Sequence, residues 1–269
     1  MVREPAVAGK FYPANPKKLR ADIDSYLSPA PARQRVSAMG CIAPHAGYMY
    51  SGHVAGAVFS AIEVPARCIV LCPNHTGRGH PLSIMADGNW RTPLGEVAID
   101  SDLAAELLRS YPALTKDSEA HRFEHAIEVE LPFLQTVRPE VRIVPLAVGT
   151  GRLVLLDQLG QALAEVVQSC AEPVLIIASS DMNHYEDDDS TRIKDHKAIK
   201  KILALDPQGL YETVMTESIS MCGFGPVVAM LTAAKILGAK KAALLQYATS
   251  GDVSGDKEMV VGYAGIVVI

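Results

Sequence analysis

No run of basic residues in this 269-residue chain is longer than a pair, at Lys17–Lys18, Lys200–Lys201 and Lys240–Lys241, and the formal net charge is −5. A nucleic-acid face needs clustered cations, so no nucleic-acid partner is expected. No apolar stretch reaches the roughly 18 residues that cross a bilayer. Met1–Phe11 carries charges and no continuous apolar core, so neither a membrane span nor an export leader is expected. There is no fixed-period repeat, no heptad pattern, no G-x-G-x-x-G, no Walker lysine motif and no G-x-S-x-G elbow. Those absences remove the commonest nucleotide-binding and serine-hydrolase chemistries. Cysteine is present but odd in number, at positions 41, 68, 72, 170 and 222. Four of the five lie in or beside apolar runs, where a reduced thiol packs as a small hydrophobe. The expected compartment is therefore the cytoplasm. Cys68 and Cys72 share one apolar run; as a strand it would set them on one face about 13 Å apart, too far to share an ion.

What is present is a core. Apolar residues make up 49% of the chain and charged residues 20%, a balance that favours a folded protein over a disordered one. Short apolar runs at Met39–Ala43, Arg67–Cys72, Val141–Val148, Val174–Ser179, Ala243–Thr249 and Val260–Val268 read as strands. Helical patterns fall between them at Lys17–Leu27, His53–Ile62, Asp102–Arg109, Glu124–Val137, Leu153–Ser169, Thr191–Leu203, Pro207–Thr216 and Gly225–Leu237. Pro29 and Pro31 are expected to end the first helix, Ala55, Gly56 and Ala57 to permit close approach of the second to the sheet, and Gly52 and Gly56 also to serve the bend before it. Leu82–Ile99 reads as two extended pieces separated by Asn89–Gly95. Val2–Pro16 reads as an ordered arm with Phe11 and Tyr12 to bury. Strand and helix alternate almost throughout and no Ser/Gly-rich linker interrupts them. The expectation is one α/β domain over residues 1–269, a three-layer α/β/α arrangement with a mostly parallel or mixed central sheet.

Three apolar strands each run into a loop that bears a histidine: His45 in APHAGYMYSG, His75 in CPNHTG, and His184 with Asp181 in SSDMNHY. Open α/β sheets place their chemistry at the carboxyl ends of strands, where such loops converge. Imidazole ligates zinc, copper, iron and nickel, so His45 and His75 are candidate metal ligands. Asp181 and His184 suit proton transfer, although an Asp-led turn also explains Asp181. Cys222, in MCGFGP ahead of a helix, is a candidate thiolate ligand or nucleophile, since a helix N-terminus favours the thiolate. His121, His125 and Glu128 can share a helix face and suit a pocket wall or hydrogen bonding behind the site better than direct ligation. Glu186–Asp189 reads as a solvated rim, and Asp252–Asp256 as a polar loop without ion-loop spacing.

PHAGYMYSG at 44–52, PNHTG at 73–77, EHAIEVELPFL at 124–134, SSDMNHY at 179–185 and MCGFGP at 221–226 resemble the Memo family's pattern in order, from VAGKFYP at 7–13 to GYAG at 262–265. The resemblance implies a fold like that of the class III, LigB-type extradiol dioxygenases. It also implies metal-ligand roles for His45, His75 and Cys222, with His184 as acid/base beside Asp181. It departs from those enzymes at the third ligand, a cysteine where they carry glutamate. The implied function is a non-haem metal-binding oxidoreductase, with iron the first metal and copper or zinc next. The alternative is a scaffold whose crevice holds a peptide or partner. The resemblance further implies association with a radical-S-adenosylmethionine protein and an AMMECR1-like protein, the chain being component B of that system.

Overall fold

The structure, a computed structural model, describes residues 1–27 and 35–269. The expected stop at Pro29 and Pro31 lies outside the described residues. In chain order the elements are β1 (Val2–Arg3), α1 (Pro16–Leu27), β2 (Gly40–Ala43), α2 (Tyr48–Ala61), β3 (Arg67–Pro73), β4 (Leu82–Ile84), β5 (Asn89–Thr92), β6 (Gly95–Ile99), α3 (Ser101–Ser110) and β7 (Thr115–Lys116). After a short 3-10 turn at Glu119–His121 come α4 (Ala126–Val137), β8 (Arg142–Val148), α5 (Leu153–Ser169), β9 (Val174–Ser179), β10 (His184–Glu186), α6 (Asp188–Leu203), α7 (Pro207–Thr216), α8 (Phe224–Ile236), β11 (Ala242–Thr249), α9 (Gly251–Ser254) and β12 (Val260–Val268).

Strands β8, β3, β9 and β2 lie side by side and parallel, with Pro73 opposite Val148, Leu71 opposite Ala178 and Ala43 opposite Ser179. Strand β12 runs antiparallel to β2, with β11 antiparallel beyond it, while β10 pairs with the start of β12. On the other side, β6 pairs with the start of β8 and β4 with its end, followed outward from β6 by β5 and β1. The sheet is therefore mixed, with a parallel centre. Residues alternate between its two faces as the strand period of two requires. Ile42, Ile69, Leu71, Val144, Leu146, Ile176 and Ala178 pack toward α3, α5, α6, α7 and α8. Cys41, Ala43, Cys68, Val70, Cys72, Leu175 and Ile177 pack toward α1, α2 and α4. Both faces are covered, which is why these strands are almost uninterruptedly apolar. Cys68 and Cys72 are fully buried on one face, as their spacing predicts.

Aspartates cap three helices: Asp100 accepts from the Leu103 N–H at the start of α3, Asp187 from Ser190 at α6, and Asp206 from Gly209 at α7, where Pro207 supplies the first helical φ. Three local expectations are corrected. Helix α2 begins at Tyr48 rather than His53, so Gly52 and Gly56 lie within it. A Cβ on Gly56 would stand 2.4 Å from the Tyr26 carbonyl oxygen, so the small residues let α1 pack directly on α2. Asn89–Gly95 is no spacer; it forms β5 and the turn into β6, and Trp90 is fully buried there. Asp188, within the supposed solvated rim, is buried and bonded by Thr249 and Arg192, because it occupies the first turn of α6 against β11.

Candidate metal centre

The parallel strands deliver their loops to one edge. β9 lies between β3 and β2, so the residues that follow β3 and β2 flank those that follow β9. His45, two residues past β2, is buried, and its backbone N–H donates to Asp181 Oδ1 at 2.8 Å. Its Nδ1 lies 2.8 Å from Ser179 Oγ. His75, two residues past β3, is held by one carboxylate: Glu124 Oε2 accepts its backbone N–H at 2.6 Å, and Glu124 Oε1 lies 2.9 Å from its Nδ1. His125 immediately precedes α4, and its backbone N–H also donates to Glu124 Oε1, at 2.9 Å.

One ring nitrogen from each of His45, His75 and His125 lies within 4.8 Å of the others. Ring centroids are 5.1 Å apart for His45 and His75, 5.5 Å for His45 and His125, and 4.8 Å for His75 and His125. A hydrogen bond at Nδ1 orients a ring and leaves Nε2 for an ion, which is how ligating histidines are usually supported. Ser179 and Glu124 provide that support for His45 and His75. Burial, then the neighbouring His75, His125 and His184, push the His45 pKa well down. Burial likewise lowers that of His125, against the pull of Glu124. For His75 burial opposes charge, but the Glu124 hydrogen bond and carboxylate outweigh it and raise the pKa. Two of the three rings are thus kept neutral, the form that ligates a metal.

The expected His/His/Cys set is corrected. Cys222 does reach the crevice: its Sγ lies 3.3 Å from His45 Nε2 and accepts the Asp181 N–H at 3.3 Å. The atoms that converge, however, are those of three histidines. Burial pushes the Cys222 thiol up, and the Asp181 carboxyl beside it adds to the effect. The oxidoreductase expected at a His45/His75/Cys222 site is corrected with that set, because the donors that converge are three histidines. His125, expected at the pocket wall rather than among the ligands, is the third converging imidazole, and Glu124 is the residue whose role was not seen. An acidic residue next to a histidine at the head of an apolar helix was the available sign. His121 and Glu128 are elsewhere: His121 is fully buried beside Trp90, and Glu128 anchors the N-terminal arm through Arg3, the Ala6 and Val7 N–H groups and Tyr12.

Asp181 and His184 both line the crevice, which has a volume of about 530 Å³ and is walled by Phe11, Tyr185 and Tyr263 as well. Burial raises the Asp181 carboxyl to about 7, against the hydrogen bond from His45. His184 Nδ1 lies 2.9 Å from the Ser220 carbonyl oxygen, which can only accept, so Nδ1 carries the proton and Nε2 is bare. Burial lowers its pKa, so the ring is neutral near pH 7. Tyr185 is exposed at the rim with φ 61°, a left-handed backbone that a bulky residue adopts only at a cost.

Fold and site together define a three-layer α/β/α protein with a histidine cluster able to hold a metal ion at the carboxyl edge of its parallel strands. The description "Memo-like protein" matches residues 3–267. The chain belongs to the Memo family. It is 44% identical over 279 residues to a MEMO1 family protein of Methanopyrus kandleri, covering 99% of each chain. A MEMO1 family protein of Pyrobaculum arsenaticum is also 44% identical, over 98% of each chain, and one of Methanosarcina barkeri is 42% identical, over 99% of this chain and 100% of its own. Among solved structures, an uncharacterized protein from Escherichia coli K12 shares the fold with a TM-score of 0.53 at 14% identity, covering 83% of this chain and 98% of that one.

Proposed function

We propose that the chain binds one divalent transition-metal ion through His45, His75 and His125, and acts on a small oxygen-bearing molecule in the crevice with Asp181 and His184 as its proton-handling pair. The observation that carries this is the convergence of three imidazoles, two of them braced from behind. Three imidazole ligands fit zinc, iron and copper alike. A bound ion supplies Lewis acidity, polarising an oxygen donor and lowering the pKa of water. His184 offers a bare Nε2 to accept a proton, with Ser220 holding its ring in place. Asp181, titrating near 7, can give or take one, and also fixes the His45 backbone. Phe11, edge-on to His125 at 4.9 Å, and buried Tyr263 wall off part of the crevice from water.

The likeness to LigB-type extradiol dioxygenases belongs to this proposal too. Histidines at the carboxyl ends of parallel strands support it, and iron is the first metal to test, ahead of copper and zinc. Association with a radical-S-adenosylmethionine protein and an AMMECR1-like protein, which the resemblance in sequence implies, is part of the same proposal, and co-purification from native extract tests it.

The test is metal analysis of protein prepared without added metal, followed by cobalt titration of the wild type and two variants. One ion per chain is expected, lost in His125→Ala and retained in Cys222→Ser. The opposite pattern, retention without His125 and loss without Cys222, sinks the three-histidine assignment.

A further inference from the structure

The N-terminal arm reaches the metal centre from behind. Arg3 is buried, and its guanidinium lies over the Trp90 ring, 4.4 Å from the centroid. From there Nη1 pairs with Glu128, Nε donates to the His121 carbonyl at 3.1 Å, and Nη2 donates to the Glu124 carbonyl. Helix α4 takes its first main-chain acceptor at His125, whose carbonyl receives the Val129 N–H. The His121 and Glu124 carbonyls stand ahead of that ladder, and a planar fork of N–H donors suits both. Further along the arm, Ala6 and Val7 donate their N–H groups to Glu128, and Tyr12 its hydroxyl. Phe11 then meets two ligand-bearing segments. Its ring stands edge-on to His125 at 4.9 Å, and its carbonyl accepts the Tyr48 N–H at 2.8 Å, at the head of α2 and three residues past His45.

We propose that the arm is part of the metal centre's support: Arg3 and Phe11 are positioning residues, and docking of residues 3–12 and binding of the ion strengthen one another. The inference rests on the three-histidine reading of the site. Arg3 acts through Glu124. That carboxylate accepts the N–H groups of His75, His125 and Ala126 and braces the His75 ring. It keeps all four contacts only while its own main chain is held. The main chain there runs between the 3-10 turn and α4, and the Arg3 fork spans it from His121 through Glu124 to Glu128.

Phe11 acts directly. His125 Nδ1 stands 3.5 Å from Glu124 Oε1, too long for a good hydrogen bond, so packing against Phe11 limits the swing of that ring. Through its carbonyl, the same residue joins the segment after His45 to the helix that His125 precedes. Terminal segments open locally without global unfolding, so a docked and a released arm are the two states an ion distinguishes. Release loosens His75 and His125 and weakens their hold on an ion. An ion that fixes those rings resists release in turn, and linkage makes the two effects equal in size.

Amide hydrogen exchange of the full chain, with and without cobalt, tests the coupling before any residue is changed. Saturating cobalt should slow exchange at Ala6 and Val7, which touch no ligand, by about 10-fold. Phe11→Ala and Arg3→Lys should each weaken cobalt binding about 10-fold in calorimetric titration. Lysine keeps a charge opposite Glu128 but lacks the fork that spans both carbonyls, so Arg3→Lys separates backbone holding from charge pairing. Cobalt should also protect Ala6 and Val7 less in both variants. If a variant does not fold, exchange in the wild type decides. Cobalt binding that leaves Ala6 and Val7 exchanging as before, or folded variants that bind cobalt as the wild type does, overturn the proposal and leave the metal reading standing. A wild type that binds no cobalt overturns the metal reading, and this proposal with it.

Discussion

At the scale of single residues, the site is a set of imidazoles whose usefulness depends on what stands behind them. Glu124 accepts the backbone N–H groups of both His75 and His125 and also braces the His75 ring, so one carboxylate places two candidate ligands. Its own pKa is lowered: burial opposes ionisation, but the His75 hydrogen bond outweighs it. Glu124→Gln should keep the fold and weaken cobalt binding about 10–100-fold, measured by calorimetric titration. Because His75 must lose its proton to ligate and its pKa is raised, wild-type affinity should fall as pH drops through that pKa. In Glu124→Gln the same fall should move to lower pH. An unmoved profile would separate Glu124 from the His75 proton. His45 and His75 were legible in sequence because each follows an apolar strand. His125 was legible only as a pocket wall and not as a ligand, because it stands at the head of a helix, and nothing in one-dimensional spacing says which helix starts beside which strand end.

At the scale of elements, the N-terminal arm is tied to α4 rather than merely laid over the surface. Arg3 is buried and paired with Glu128, itself fully buried, and Tyr12 donates to the same carboxylate at 2.6 Å. Breaking a buried pair strands a charge, at a cost of about 3–5 kcal/mol. Arg3→Ala should therefore lower urea stability by that order and expose residues 1–12 to protease; unchanged resistance would show that the arm is held by its apolar contacts alone. Packing of α1 on α2 makes a second case. Gly56→Ala would push a methyl into the Tyr26 carbonyl and should destabilise by about 1–3 kcal/mol, read from the denaturation midpoint. The sequence showed that Gly56 permits a close approach but not toward what; the neighbour is α1 rather than the sheet, and a bend leaves the same local mark as such a contact.

At the scale of the whole molecule, the sheet runs from β1 at one side to β11 at the other, and among the described residues no helix is long and apolar enough to cross a membrane. We propose that residues 1–269 unfold as one domain, because the arm, both helical layers and the sheet share the site's supports; two separated thermal transitions would contradict this. The pH dependence of that stability has a definite sign. Burial raises Asp195 to about 7, although Tyr247 and the Asn183 N–H both donate to it. A carboxyl with a raised folded pKa contributes stability that is fully present below its unfolded pKa and lost as pH rises through about 7. The contribution is at most about 4 kcal/mol. Asp195→Asn should flatten that decline in denaturant-midpoint measurements between pH 4 and 7. Asp188, lowered to about 2 by Arg192, has the opposite sign: its stability is present above the unfolded pKa and lost as pH falls through about 2.

The sequence by itself determined the layers and the edge. Apolar runs too short for helices and too apolar for one-sided strands demanded a sheet covered on both faces, and the Pro- and Gly-marked loops after them carried His45, His75, Asp181 and His184. Only the tertiary structure decided which donors meet. β9 inserts between β3 and β2, α4 starts beneath the end of β3, and Gly223 lets the Cys222 loop pass where any Cβ would strike Ser180 and the Ser179 carbonyl. The imidazole of His125 replaces the expected thiolate for the same reason. Ligation is a matter of a few ångströms set by packing between distant segments, while pattern and spacing report only a residue's neighbours along the chain.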